Sequence, residues 1–161
     1  MTRFILFVLV ALLATSVPAQ DAGKTWATAV ATRPSDGRQI VFRFIQEYLP
    51  SFDRSKFPVR VTLSWRYESA MGMPSAPERE SMDQFEDLVG PQVESPLLAS
   101  LALVRTGDNL RQWTYYTTSE DAFRAKFGVA VRSAPQAPVE LKVEPDPAWE
   151  KYEQFRSGVH K

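Results

Sequence analysis

Hydrophobic and polar residues alternate most regularly along residues 59–67. Valine, leucine, tryptophan and tyrosine occupy every second position there, and arginine, threonine and serine occupy the positions between them. A period of two predicts a β-strand with one buried face and one solvated face. Other runs rich in β-branched and aromatic residues predict further strands at residues 26–32, 39–48, 97–106, 110–117 and 139–144.

Apolar residues recur with a helical period in two other segments. The first predicted helix has Pro77 at its first position, which suits proline, and ends at Gly90-Pro91. The second begins at a capping box formed by Thr118 and Asp121 and ends near Arg132. Their apolar stripes are Met82, Phe85, Leu88 and Val89 in the first helix, and Phe123, Phe127 and Val131 in the second. A third, short helix is predicted to follow Asp146-Pro147.

The order of these elements predicts an α+β fold. Two strands form an N-terminal β-hairpin, and a β-α-β-β-α-β series then matches the split arrangement of ferredoxin-like domains. Right-handed crossovers would place strand 97–106 parallel to strand 59–67, with strand 110–117 between them. The hairpin could extend either edge of the sheet or fold over it, and the pattern favours none of these placements.

The N-terminus is predicted to be a secretory signal peptide over residues 1–19. Arg3 precedes an apolar run, and Val17-Pro18-Ala19 places small residues where a signal peptidase cleaves. Residues 20–161 would then form a single exported α+β domain, periplasmic or secreted, without a stable membrane span. The alternative is an uncleaved N-terminal anchor, although the run is short for a span. A lipoprotein anchor is excluded because the chain has no cysteine.

Composition argues against several classes of function. The chain carries 19 basic and 19 acidic residues, whereas nucleic-acid binding relies on an excess of lysine and arginine. The only histidine is His160, so a Ser-His-Asp or Cys-His catalytic centre and a His/Cys zinc site are not expected. No phosphate-binding glycine loop occurs either. We therefore predict no catalytic residue, no metal and no cofactor, and favour a protein that is not an enzyme.

Carboxylates leave one enzymatic alternative open. Glu86 and Asp87 lie on the first predicted helix, and Asp146 opens the last one. Glu86 and Asp146 could form an acid–base pair or an oxygen-ligand Ca²⁺ or Mg²⁺ site, as in a carboxylate- or metal-dependent hydrolase. The alternative is structural: Glu86 forms an ion pair, Asp87 is solvated, and Asp146 accepts the free N–H groups of the last helix.

Arginine and aromatic residues on two neighbouring strands suggest a binding surface. If they gather on the open face of the sheet, they would form a cationic and aromatic patch suited to a protein partner or a small anionic ligand. The predicted binding residues are Arg60, Arg66, Arg111, Trp113 and Tyr115. The alternative is a set of ordinary surface arginines in cross-strand pairs with glutamates.

Four short segments together resemble a known family. They are Gly72-x-Pro74, Phe85-Glu86-Asp87, Arg111-x-Trp113-x-Tyr115-Tyr116 and Asp146-Pro147-x-Trp149-x-x-Tyr152. Their order and spacing resemble the bacterial "domain of unknown function 695" family over roughly residues 26–155. The resemblance implies a bacterial origin and no established activity, and it transfers no catalytic residue.

The sequence thus favours a small exported binding or accessory module. A hydrolase and a purely structural envelope domain are the alternatives.

Trp149 and Tyr152 lie three residues apart on one helical face, where they either dock on the core or form a platform for ligand stacking.

Overall fold

The computed structural model describes residues 8–9, 24–134 and 137–159. The predicted cleavage site and most of the predicted signal peptide lie outside these residues. The strands are β1 (Val8–Leu9), β2 (Lys24–Thr32), β3 (Gln39–Tyr48), β4 (Val59–Arg66), β5 (Ala99–Gly107), β6 (Leu110–Thr117) and β7 (Val139–Pro145). The α-helices are α1 (Ala76–Val93), α2 (Glu120–Ser133) and α3 (Glu150–Val159), and a short 3-10 turn spans Arg54–Lys56.

All the strands join one antiparallel sheet in the order β1-β2-β3-β5-β6-β4-β7. The α+β class is therefore confirmed. β4 and β5 both pair antiparallel with β6 and are parallel to each other, as the crossover rule predicts. The N-terminal hairpin β2–β3 extends the sheet beside β5, which resolves the placement that the sequence left open.

Helices α1 and α2 cover one face of the sheet, which we call the helical face. Their apolar stripes pack on the inward residues of β4, β5 and β6 and form the largest core cluster. α1 runs to Val93, so the predicted end at Gly90-Pro91 is wrong. Val93 is fully buried, and the Glu94 carboxylate accepts a hydrogen bond from the backbone of Leu101, at 2.9 Å. These tertiary contacts stabilise the last turn of α1, although the sequence Gly90-Pro91 predicts that the helix ends before it.

The start of α2 also differs from the prediction by one residue. Ser119 is its N-cap and accepts a hydrogen bond from the backbone N–H of Ala122. The Thr118 hydroxyl instead donates to the carbonyl oxygen of Leu97. The predicted Thr118–Asp121 capping box is therefore wrong, because Thr118 is used to tie the helix start to the segment before β5.

Helix α3 covers part of the opposite face of the sheet, which we call the second face. Its Phe155 ring packs against Phe42 and Phe44 of β3, with centroids 4.9 Å and 5.1 Å apart. Trp149 and Tyr152 join a cluster with Tyr116 of β6. The core is thus two-sided, and the remainder of the second face, over β4, β6 and β7, is left to polar residues.

The β5–β6 hairpin turn lies where the N-terminal hairpin meets the sheet. Asp108 and Asn109 both have positive φ, 61° and 60°, as a two-residue turn of this hand requires. Gly107 precedes them with a φ of 140°. A Cβ atom there would lie 2.6 Å from the carbonyl oxygen of Gln39 on β3. The absence of a side chain at Gly107 therefore permits β3 to pair with β5.

Candidate functional site

Arg111 is a buried member of a charged network under α1. Its guanidinium donates to Asp83 at 2.6 Å and to Glu86 at 2.9 Å, and its side chain is only 9% exposed. Glu86 also accepts hydrogen bonds from the Trp113 indole, at 2.7 Å, and from Arg43 of β3. One carboxylate thus joins α1, β3 and β6.

The pKa of Glu86 reflects this environment. Burial raises the pKa, but the charge of Arg43, the hydrogen bonds from Trp113 and Arg43, and the charge of Arg111 together lower it below its usual value. Glu86 is therefore held as the anion. An anion held by two arginines is poorly suited to donate or accept a proton near neutral pH, so the geometry matches the structural alternative for Glu86. Asp87, next to it, is exposed.

The five predicted binding residues do not share one face. Arg111, Trp113 and Tyr115 point to the helical face, where all three are buried. Arg60 and Arg66 alternate with Val61, Leu63 and Trp65 on β4 and therefore lie on the second face. The prediction of one common patch is therefore wrong. Side chains two positions apart on a strand share a face, so Arg111 lies on the same buried face as Trp113 and Tyr115.

Arg60 lies beside α3 and is largely buried. It donates to Glu144 of β7 at 2.5 Å, which is the cross-strand pair expected of an ordinary strand arginine. Its Nε atom lies 3.9 Å from Asp146. Arg66, at the other end of β4, is exposed and forms no ion pair with any described residue. Of the five residues, Arg66 alone is fully available to solvent.

Asp146 caps α3 from outside the helix. Its two carboxylate oxygens accept the backbone N–H groups of Glu150, at 2.7 Å, and Lys151, at 3.2 Å. They also accept the hydroxyl of Tyr116 at 2.8 Å. The helix starts at Glu150 rather than at Pro147, because Asp146-Pro147-Ala148-Trp149 forms a turn first. The capping role predicted for Asp146 is confirmed, with a later helix start.

The structure separates Glu86 from Asp146. Glu86 bonds to Trp113 on the helical face, whereas Asp146 bonds to Tyr116. Trp113 and Tyr116 lie three positions apart on a regular strand and point to opposite faces. The sheet therefore stands between the two carboxylates, and the hydrolase that pairs them is ruled out.

The part of the second face that no helix of the described residues covers forms a polar surface, which we call the polar half-face. Gln112 of β6 donates to Ser64 of β4 at 3.0 Å, and Thr62 and Thr114 pair across the same strands. All four are partly exposed. Charged side chains surround this uncharged centre. They are Arg66, Arg105, Glu140 and Lys142.

A second site was not predicted from the sequence. The guanidinium of Arg54 lies over three aromatic rings, 5.2 Å from the centroid of Tyr48, 5.1 Å from that of Trp149 and 5.4 Å from that of Tyr152. Glu153 of α3 forms an ion pair with it. The contributing segments are far apart in the chain, and the loop around Arg54 is mostly polar in sequence. The one feature of the sequence that points to this site is the spacing of Trp149 and Tyr152, which suits a platform for ligand stacking.

Among the residues that the structure describes, neither a membrane-spanning helix nor a metal-binding cluster of side chains occurs. Residues 8–9, 24–134 and 137–159 contain no helix with the length and apolar character of a membrane span. The same residues contain no cluster of three or more His, Cys, Asp or Glu side chains placed to hold a metal ion.

Comparison with known proteins gives one result that covers most of the chain. The model of a family described as "Family of unknown function (DUF695)" matches residues 25–156. No curated protein matches the chain. The matched range runs from β2 to the middle of α3 and includes the hairpin, both helices of the helical face and the Asp146–Tyr152 segment. The chain therefore belongs to the DUF695 family of unknown function.

Proposed function

We propose that this protein is a small exported binding module that recognises a partner through the polar half-face. One observation carries the proposal: no helix of the described residues covers this surface, which is built on β4, β6 and β7 with Arg105 of β5 at its edge. By contrast, α1 and α2 cover the helical face of β4, β5 and β6, and α3 packs on the second face beside β3 and Tyr116. A rigid sheet is a suitable support for recognition, because its side chains are held in fixed register.

The chemistry of the polar half-face favours a partner segment that carries carboxylates. Arg66 is exposed and has no ion pair with a described residue, so its planar guanidinium is free to bind a carboxylate through two hydrogen bonds. Beside it, Gln112 and Ser64 offer hydrogen-bonding groups without charge. Arginine is one of the residues that most often dominate the binding energy of protein interfaces.

The other parts of this proposal rest on sequence and topology. Export is supported by Arg3, the following apolar run and the small residues before position 20. A periplasmic or secreted location follows if that segment directs export. A ferredoxin-like core over residues 59–145 is supported by the strand order β5-β6-β4-β7 and by the two helices that pack on one face.

Charge reversal at Arg66 tests the proposal. The purified protein, its Arg66→Glu variant and its Arg79→Glu variant would each be used to capture proteins from an extract of the host cell envelope, followed by quantitative mass spectrometry. Arg79 is an exposed arginine on α1, on the other side of the molecule, and is the matched control. We expect a partner that is lost with Arg66→Glu and retained with Arg79→Glu. The same proteins captured equally by all three would overturn the proposal.

A further inference from the structure

The three rings around Arg54 have the geometry of a cation-binding cage. The Trp149 ring is nearly perpendicular to Tyr48 and to Tyr152, with interplanar angles of 84° in both cases. Their faces and edges enclose the guanidinium on three sides, at nearly equal distances of 5.1–5.4 Å. Aromatic faces at such distances attract a cation through the ring quadrupole, and cages of this kind recognise quaternary ammonium groups.

Arg54 is the solvent-facing member of this group. Its side chain is 36% exposed, whereas Trp149 and Tyr152 are each 1% exposed. Glu153, which pairs with it, is itself about half exposed. An exposed ion pair of this kind contributes little to stability, so it adds little to the three aromatic contacts that hold the Arg54 side chain. The cage therefore opens to solvent once the Arg54 side chain moves aside.

The backbone around Arg54 is anchored independently of its side chain. Asp53 caps the 3-10 turn by accepting hydrogen bonds from the Ser55 backbone and hydroxyl. Phe57 is 2% exposed, and Phe52 stacks between Phe57 and Tyr48, with centroids 4.8 Å and 4.4 Å away. A change of side-chain rotamer at Arg54 therefore suffices to empty the cage, without rearrangement of residues 49–58.

The polar atoms of Trp149 and Tyr152 are already used, which narrows the chemistry of the ligand, whereas the buried hydroxyl of Tyr48 has no hydrogen-bond partner among the described residues. The Trp149 indole donates to the carbonyl oxygen of Phe57 at 3.0 Å, and the Tyr152 hydroxyl donates to that of Ile45. Apart from the Tyr48 hydroxyl, the rings thus offer their faces to a ligand. A quaternary ammonium has no N–H group to satisfy, whereas a primary ammonium would bring three donors to a site where the Tyr48 hydroxyl and Glu153 are the acceptors among the described residues.

We propose that Tyr48, Trp149 and Tyr152 form a binding site for a quaternary ammonium group, and that Arg54 is its resident competitor. A ligand such as choline or a trimethylated amine enters when Arg54 swings toward solvent, and Glu153 then faces the bound cation. The ligand can bind only while Arg54 is outside the cage. The apparent association constant is therefore the intrinsic one multiplied by the fraction of time for which the cage is free. This site is separate from the polar half-face and does not depend on the function proposed for that surface.

Titration calorimetry with choline tests the site directly. We expect saturable binding to the wild-type protein and about tenfold tighter binding to Arg54→Ala, as removal of a competitor present about nine-tenths of the time would give. Arg124→Ala is the matched control, because Arg124 is an exposed arginine paired with Glu120 on the helical side. It should bind choline as the wild type does. The isostere of choline with carbon in place of nitrogen is the chemical control and should not bind.

Three results would overturn the proposal. They are the absence of saturable choline binding to the wild type, equal affinity in wild type and a folded Arg54→Ala variant, and equal binding of the uncharged isostere. A second substitution keeps the test independent of Arg54. Tyr48→Leu removes the half-buried ring of the cage, and in the Arg54→Ala background it should weaken choline binding while the thermal unfolding transition remains cooperative.

Discussion

The indole ring of Trp149 lies flat against the phenol ring of Tyr116, with centroids 3.8 Å apart and planes inclined by 7°. This stack fastens the start of α3 to β6. Trp149 has a φ of 56°, in the left-handed region that residues with a side chain rarely adopt. The stack and the hydrogen bond from the indole to Phe57 offset that strain. The most distinctive segment of the sequence is therefore first of all a structural clasp.

Replacement of Trp149 by alanine should be strongly destabilising. The side chain is almost fully buried, and its loss would leave a cavity between α3 and the second face. We expect the free energy of unfolding to fall by about 3–5 kcal/mol, measured by urea denaturation. Leu97→Ala, at an 87% exposed position, is the control and should change it by less than about 0.5 kcal/mol. A loss at Trp149 below about 1 kcal/mol would contradict the clasp.

Truncation before Asp146 should destabilise the whole domain rather than one end. The deletion removes α3 and uncovers Phe44 and Tyr116, which are otherwise nearly inaccessible to solvent. We expect a large decrease in the thermal unfolding midpoint, or the loss of a cooperative transition. An unchanged midpoint would mean that residues 146–152 are not needed for folding and would return them to the candidates for direct function.

Asp146→Ala should separate capping from packing. The variant keeps the aromatic stack but leaves three donors without their acceptor, namely the N–H groups of Glu150 and Lys151 and the hydroxyl of Tyr116. We expect a loss of about 2–3 kcal/mol in the free energy of unfolding. Glu150→Ala, in the exposed first turn of α3, should cost far less. Equal effects of the two substitutions would show that Asp146 has no special capping role.

Glu86→Gln should destabilise the protein at neutral pH and much less in acid. The folded-state pKa of Glu86 is lowered, because the charges and hydrogen bonds of Arg43, Trp113 and Arg111 outweigh the effect of burial. Its ionised form therefore stabilises the fold above the unfolded pKa, and this contribution disappears as pH falls through the folded pKa. We expect a difference from wild type of about 2 kcal/mol near pH 7 that shrinks as the pH falls below 4.5, the ordinary pKa of a glutamate, and toward the lowered pKa of the folded state.

The exposed neighbour of Glu86 provides the control for that pH series. Asp87→Asn changes the same net charge one residue away, at a position open to solvent. Urea denaturation of both variants over the pH series should show a pH-dependent difference for Glu86 alone. A difference for Glu86→Gln that stays constant across the series would contradict an ionic role for this carboxylate.

Gly107→Ala should weaken the attachment of the N-terminal hairpin. The new methyl group would lie 2.6 Å from the Gln39 carbonyl oxygen and 2.9 Å from Cα of Ile40, both of which belong to the backbone of β3. We expect a loss of about 3 kcal/mol in unfolding free energy from strain and overpacking. At Gly37 φ is also positive, but no atom lies within 4 Å of a new Cβ, so Gly37→Ala should cost only about 1 kcal/mol. Similar costs at both glycines would argue against close pairing of β3 with β5.

The sequence predicted the bounds of a strand well where turn residues mark both of its ends. The bounds of β3 and β6 agree with the predicted 39–48 and 110–117, because turn residues close both ends. The end of α1 was missed because Val93 and Glu94 are held by distant contacts that no local signal records. The family resemblance, carried by four dispersed segments, is confirmed over residues 25–156.

The face on which Arg111 lies could have been predicted from the alternation of residues along β6. Arg111 lies two and four positions before Trp113 and Tyr115, and this phase placed it on the buried side with them. The cage around Arg54 had no comparable signal. Its rings come from β3, from α3 and from the turn before α3, and their approach depends on how α3 crosses the second face.

We propose that partner recognition takes place on the polar half-face, whereas Trp113 and Tyr115 serve the core. Site-specific photo-crosslinking tests it most directly. A photoreactive amino acid would replace Ser64 at the centre of this surface or, as a control, Asp87 on the exposed side of α1. We expect a discrete crosslinked product from position 64 in the host envelope and none from position 87. A product from position 87 alone would contradict it.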